Sequence, residues 1–251
     1  MTNKSSNWVE KYRIKNFEEV KGQDKVILEI KNFFQFFPNN KKAVLLYGPT
    51  GVGKTSLAHI FKNEFNVEVF ELNASDFRNK EQLEAKLKPA SEQASLFFKG
   101  KVLLVDEVDG LSNSDRGGLP ELLELIDNTQ FPMIITANSI WDGKFGNLRK
   151  KCKLIELKEL NYKDISLILQ DIAKKENLPI DNQILISLSV RSKGDVRAAI
   201  NDLQTIAYDD SIDYMDVDER NKEVDIFNAL KLVFKEILKE DILKVYDQVD
   251  L

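Results

Sequence analysis

The sequence predicts an α/β fold, with a parallel-sheet domain over residues 1–160 followed by a small three-helix domain over 161–208. Three observations predict it. Through the first two-thirds of the chain, short β-branched apolar runs alternate with longer stretches of helical spacing, the signature of βαβ units whose sheet is covered on both faces. A glycine-rich loop stands between one of those strands and the helix that follows. Beyond Leu160 the strand pattern stops and only helical spacing remains.

Taken in order, Ala43-Val44-Leu45-Leu46-Tyr47 reads as a buried strand ended by Gly48-Pro49. Further strands are expected at Val67-Glu68-Val69-Phe70-Glu71, Lys101-Val102-Leu103-Leu104-Val105, Met133-Ile134-Ile135-Thr136 and Leu154-Ile155-Glu156-Leu157. Helices are expected over 24–37, 54–65, 79–95 and 118–128, then over 161–177, 181–192 and 195–208, with breaks at Pro179 and Gly194. Residues 209–225 hold eight acidic and two basic residues and read as an acidic linker. Residues 226–248 read as one or two amphipathic helices whose apolar stripe has no remaining chain to bury it.

Composition narrows the classes. The chain has 251 residues, 43% hydrophobic and 31% charged, which excludes both a disordered chain and a membrane protein. No run reaches the roughly 18 uncharged apolar residues of a spanning helix, and Met1 to Tyr12 lacks the apolar core of a secretory signal. The single cysteine, Cys152, excludes an internal disulfide framework, and the single histidine, His59, leaves little room for His-metal or Ser-His chemistry. A reduced, cytosolic protein is expected. The net charge of −5 argues against nonspecific nucleic-acid binding. Most of that acidity sits in 209–225, however, which leaves the remainder near neutral and a local basic face possible.

Gly48-Pro49-Thr50-Gly51-Val52-Gly53-Lys54-Thr55 fits G-x-x-x-x-G-K-[ST], after a strand and opening a helix, and these residues together with Ser56 are the expected nucleotide contacts. Its glycines let the loop curl so that backbone N–H groups face phosphate oxygens, with the helix N-terminus adding partial positive charge. Lys54 is expected to reach the β- and γ-phosphates of ATP and Thr55 to ligate Mg²⁺. Val102-Leu103-Leu104-Val105-Asp106-Glu107 supplies the second half: a buried strand delivering Asp106 to the metal shell and Glu107 as general base toward water. Asp106-Glu107-Val108-Asp109 also suits a helicase box, but the long motor core of such an enzyme does not fit this chain.

These residues lie within a wider pattern. The chain resembles the clamp-loader branch of the AAA+ ATPases, most closely the large-subunit family of archaeal replication factor C, over roughly residues 7–240. Trp8-Val9-Glu10-Lys11-Tyr12-Arg13 and Val20-Lys21-Gly22-Gln23 resemble the N-terminal boxes that line the adenine pocket, which places Tyr12, Arg13 and Val20 among the nucleotide contacts. Glu71-Leu72-Asn73-Ala74-Ser75-Asp76 matches another box. Thr136-Ala137-Asn138 resembles the sensor-1 strand, with Asn138 positioning water or the γ-phosphate. Gly194-Asp195-Val196-Arg197-Ala198-Ala199-Ile200-Asn201 resembles the sensor-2 helix, with Arg197 serving the phosphates from a lid domain over 161–208. The resemblance makes 1–160 the P-loop AAA+ domain and 226–251 the start of a helical collar, either truncated or encoded separately.

Large-subunit character rests on Asp106-Glu107-Val108-Asp109-Gly110-Leu111 followed by Asp115-Arg116-Gly117-Gly118, and on Ala90-Ser91-Glu92-Gln93-Ala94-Ser95-Leu96. Where small subunits carry a Ser-Arg-Cys arginine finger, this sequence has Lys150-Lys151-Cys152, and lysine lacks the planar bidentate fork. The resemblance therefore implies a subunit that receives a finger and supplies none, with Arg149 as a weaker substitute. The family's Tyr-Arg-Pro is Tyr12-Arg13-Ile14 here. Implied partners are replication factor C small subunits, a PCNA-type sliding clamp and primer-template DNA, in the cytoplasm at the nucleoid. Arg78, Lys80 and Arg116 are DNA candidates, as phosphate contacts that position without reading sequence. Leu96-Phe97-Phe98 is the candidate clamp contact, competing with a core role. Phe33, Phe34, Phe36 and Phe37 are expected to pack, His59 to be an ordinary helix position without a partner, and Cys152 a buried strand residue.

The implied activity is Mg²⁺-dependent ATP hydrolysis that times clamp loading. Alternatives are a nucleotide-binding structural end subunit with little hydrolysis, or another AAA+ DNA-processing motor.

Overall fold

The computed structural model describes residues 7–38, 41–73, 100–111 and 118–208. They divide into two compact units. One is Glu10–Leu160; among the described residues the other joins 7–9 to the chain from Asn161 onward.

The first unit is built on parallel strands β1 (Ala43–Tyr47), β2 (Val67–Asn73), β3 (Gly100–Asp106), β4 (Met133–Ala137) and β5 (Cys152–Glu156), in the order β2-β3-β4-β1-β5. Helices α1 (Trp8–Lys11), α2 (Asp24–Gln35), α3 (Lys54–Glu64), α4 (Gly118–Asn128) and α5 (Gly146–Lys151) precede, connect or follow them, and only α1 starts outside this unit. Every residue of β4 is buried, as are Ala43–Leu46 of β1 and Lys101–Val105 of β3. A strand buried on both faces has no polar alternation to show, which is why these segments read as continuous apolar runs.

Register sets the functional edge. Leu46 pairs with Thr136 and with Ile155, and Asn73 pairs with Asp106. The carboxyl ends of β1, β3 and β4 therefore lie along one rim, with β4 between the other two. Ligands of open parallel sheets bind at that rim.

An aromatic cluster fixes the N-terminal segment to this unit. Phe17 meets Phe61 edge-on at 5.8 Å, Phe34 lies 4.3 Å from Phe61, and Phe65 stacks on Phe61 at 5.5 Å. The Phe17 backbone N–H also donates to Glu64 Oε1 at 2.9 Å. Phe33, Phe34 and Phe37 pack as expected, whereas Phe36 is 58% exposed because it falls on the outer side where α2 ends. His59 does have a neighbour: Nε2 lies 3.7 Å from Glu71 Oε2, across from α3 to β2.

The second unit packs α6 (Tyr162–Lys175), α7 (Asn182–Arg191) and α8 (Val196–Tyr208). Asn161 and Asp181 cap the first two, accepting from the backbone N–H groups of Asp164 and Gln183. Leu169, Leu185 and Leu203 fill the core between them. Trp8 is 2% exposed and belongs here, its backbone N–H donating to Gln204 Oε1 at 2.9 Å and its ring meeting Tyr208 edge-on.

The observed elements differ from the expected ones mainly at their ends. β5 begins at Cys152 rather than Leu154, because Cys152 pairs with Ala43 at the start of β1. β2 runs on to Asn73 through pairing with β3. The short α1 and α5 and three 3-10 turns (Phe17–Glu19, Val108–Gly110 and Gly143–Phe145) are too brief to leave a periodic signal. The helix expected at 79–95, the acidic segment 209–225 and the stretch 226–251 lie outside the described residues.

Candidate phosphate-binding site

The glycine-rich loop leaves β1 and enters α3 through residues whose φ angles are positive: Gly48 at 151°, Gly51 at 70° and Gly53 at 95°. At Gly48 the requirement is also steric. A Cβ there would lie 2.1 Å from the carbonyl oxygen of Leu157, whose own backbone N–H donates to Tyr47 O at 2.8 Å. Only glycine lets β1 end this close to the chain leaving β5. Gly53 caps α3 in the left-handed region, and its carbonyl accepts from Leu57 N at 2.8 Å. The first-turn N–H groups of α3 thus stand at the loop with no intrahelical acceptor. Pro49 and Thr50 are exposed, and Val52 is buried beneath the loop.

Lys54 opens α3 and Nζ donates to the carbonyls of Gly48 (2.8 Å) and Pro49 (2.6 Å) and to Asn138 Oδ1 (2.9 Å). The residue that β4 delivers one position past its end therefore meets the loop lysine. Thr55 Oγ1 donates to the Asp106 carboxylate, 3.1 Å from Oδ1 and 3.2 Å from Oδ2. A hydroxyl that gives its one proton away keeps lone pairs for a cation. Thr55 and Asp106 together are hard oxygen donors of the kind Mg²⁺ takes, usually one or two from protein with the rest from phosphate and water. The residues fit that ion.

Two further residues belong here that sequence reasoning left without a role. Thr136 is 1% exposed; its hydroxyl donates to Asp106 Oδ1 and accepts from the Glu107 backbone N–H at 3.0 Å. Asp109 Oδ2 accepts from the Asn138 backbone N–H at 3.1 Å, while its Oδ1 is buried without a hydrogen-bond partner. The available signal was period-2 alternation, which puts Thr136 on the same side of the extended chain as Asn138. Glu107 itself has φ 55° and ψ 48°, uncommon for a residue with a side chain, and is exposed at the rim.

Tyr47, next to the loop, has its phenol raised above the usual range by burial first and then by Glu156. Gln23 is 5% exposed and donates from Nε2 to Lys158 O at 2.7 Å, fixing the start of α2. Tyr12, Arg13 and Val20 are partly buried in the N-terminal segment, Arg13 paired with Glu10. Ser56 is partly buried on α3. Arg197 lies in the first turn of α8 in the helical unit, with its side chain exposed.

At the expected finger position Lys151 pairs with Asp127 of α4. Arg149 is engaged as well: Nη1 donates to the carbonyls of Ile140 and Asp142, and the guanidinium lies over Trp141. Cys152 is buried at the start of β5, as expected. Arg78, Lys80, Arg116, Leu96, Phe97 and Phe98 lie outside the described residues.

With the loop, the acidic strand end and Asn138 in one place, comparison with known proteins is decisive. Residues 44–158 match the ATPase family associated with various cellular activities (AAA), and residues 167–208 match the RCF1/5-like AAA+ ATPase lid domain. A replication factor C large subunit from Methanococcus aeolicus is 40% identical over 235 residues, covering 91% of this chain and 50% of the relative. The chain belongs to the replication factor C branch of the AAA family. Other large subunits agree. Those of Thermofilum pendens (43% identical, 80% of this chain, 50% of the relative) and Nanoarchaeum equitans (39%, 96% and 57%) are similar over comparable stretches. The chain spans about half the length of the curated relatives it matches. Among solved structures, the Thermotoga maritima RuvB Holliday junction branch migration motor superposes with a TM-score of 0.62 over 78% of this chain and 65% of that one. At 23% identity that likeness shows the AAA+ fold alone. Among the described residues no helix is long and apolar enough to cross a membrane.

Proposed function

We propose that this AAA+ chain binds and hydrolyses ATP as the large-subunit component of a sliding-clamp loader, working with replication factor C small subunits, a PCNA-type clamp and primer-template DNA. The observation that carries the ATPase reading is the convergence of Lys54, Thr55, Asp106 and Asn138 at one end of the sheet. The clamp-loader assignment is supported by the large-subunit relatives.

In this reading Lys54 leaves its loop carbonyls for the β- and γ-phosphates, and the loop and first-turn N–H groups hold the remaining oxygens. Thr55 and Asp106 would hold a magnesium ion, which would supply positive charge to offset that of the phosphates. Asn138 orients the attacking water or the γ-phosphate, and Glu107 takes the proton of that water as general base. Tyr12, Arg13 and Val20 contribute the adenine side by the family pattern, and Arg197 is assigned to the phosphates from that pattern alone. Lysine at position 151 lacks the planar fork of arginine and is engaged with Asp127, which supports a chain that supplies no arginine finger and receives one from a neighbouring subunit. Arg78, Lys80 and Arg116 remain proposed for DNA, and Leu96, Phe97 and Phe98 for the clamp.

The test is single-turnover hydrolysis in the complex with cognate small subunits, clamp and primed DNA. Lys54→Ala is expected to lose tight nucleotide binding. Glu107→Gln is expected to keep binding and stall turnover by roughly 100-fold or more, the usual range for a lost general base. Turnover of Glu107→Gln at the parent rate would remove Glu107 as the base. Native mass spectrometry adds the assembly: one copy joining several small subunits supports the reading, and a homohexamer overturns it.

A further inference from the structure

The hydroxyl of Thr136 touches both acidic residues at the end of β3, one through its side chain and one through its backbone. We infer that Thr136 is the positioning residue of this site, fixing the Asp106 carboxylate toward Thr55 and the Glu107 backbone in its left-handed turn. The kinetic part of its test rests on the ATPase reading above; the rest does not.

Asp106 Oδ1 accepts from Thr136 on one side and from Thr55 Oγ1 at 3.1 Å on the other. A carboxylate held by a single donor swings about its broad terminal torsion, whereas two donors from different elements hold its plane. Thr55 rides on α3 and is partly exposed, so the fixed reference is Thr136, set into β4 opposite Leu46. Glu107 follows Asp106 directly, and its conformation has to be held by the surroundings. Its N–H is anchored by Thr136 Oγ1 and its carbonyl by Gly110 N at 2.9 Å. Thr136 meets both demands with one donor and one acceptor. At 1% exposure it leaves no room for water to replace either bond.

The variants are Thr136→Val, which keeps the shape and removes the hydroxyl, and Thr136→Ser, which restores it. Three quantities are read on the full chain: amide hydrogen exchange at Glu107 without nucleotide, the Mg²⁺ concentration that half-saturates binding of a fluorescent ATP analogue, and single-turnover hydrolysis in the loader complex. Thr136→Val is expected to deprotect the Glu107 amide. It should also raise the Mg²⁺ requirement and lower hydrolysis, each by roughly 10- to 100-fold, as for loss of an outer-shell partner of a metal ligand. Thr136→Ser is expected to return all three toward the parent, which a purely structural defect would not do. If Thr136→Val does not fold, as judged by circular dichroism, Thr136→Ala carries the same expectation. A hydroxyl-free variant with the parent's Glu107 protection, or with the parent's Mg²⁺ requirement and rate, overturns the inference. A parent complex that hydrolyses no ATP sinks the ATPase reading instead, and the exchange and Mg²⁺ measurements still decide on Thr136.

Discussion

Replacing Gly48 with alanine tests the closest backbone approach in the phosphate loop, and Gly53 provides an internal control. Both have positive φ, 151° and 95°, so both replacements carry conformational strain. They differ in surroundings. A Cβ at Gly53 meets nothing within 4 Å, whereas at Gly48 it falls 2.1 Å from the Leu157 carbonyl oxygen. Gly53→Ala should therefore cost only the conformational term, about 1–2 kcal/mol. Gly48→Ala adds displacement of the chain after β5. The hydrogen bond from Leu157 N–H to Tyr47 O breaks first, at a net cost of about 0.5–1.5 kcal/mol, on top of strain of about 1–3 kcal/mol. The sum is roughly 2–4 kcal/mol, or roughly 5–15 °C in the melting temperature of a unit of this size. Thermal unfolding of the full chain without nucleotide, followed by circular dichroism, reads it directly. If Gly48→Ala melts together with Gly53→Ala or above it, the Leu157 carbonyl is not the barrier and the reasoning fails.

Two other predictions use residues away from the loop. Burial pushes the Cys152 thiol up to about 12, against a pull in the other direction from Lys41 and Lys151. Above the ordinary thiol range the unfolded chain releases this proton while the folded chain keeps it. The contribution is thus fully present below about pH 9 and is lost as pH rises toward 12. Urea midpoints should fall more steeply over that window in the parent than in Cys152→Ala, and equal slopes would contradict the burial argument. Asp109→Ala removes the acceptor for the Asn138 backbone N–H, a bond to a charged group worth about 1.5–3 kcal/mol. It should lower the urea midpoint and slow hydrolysis more than it weakens ATP binding. An unchanged midpoint and rate would show that the Asn138 loop holds itself.

The strand-loop-helix unit around residues 43–64 was legible because each of its parts is fixed locally. Backbone preference demands glycines in the curl, the buried strand demands an apolar run, and the helix begins where its periodicity begins. The same holds for the acidic end of β3 and for the three helices of the second unit, whose apolar stripes are properties of single segments. What the sequence could not decide is which strand lies beside which. The order β2-β3-β4-β1-β5 sets β4 between β1 and β3, and that placement alone makes Thr136 the link between Asp106 and Glu107 and brings Asn138 to Lys54. It likewise sets Gly48 against Leu157, far along the chain, and gives Lys151 its partner on α4. Local propensity is written residue by residue along the chain. Contacts across a sheet depend on strand order and register, which arise only when all the strands bury their apolar faces together.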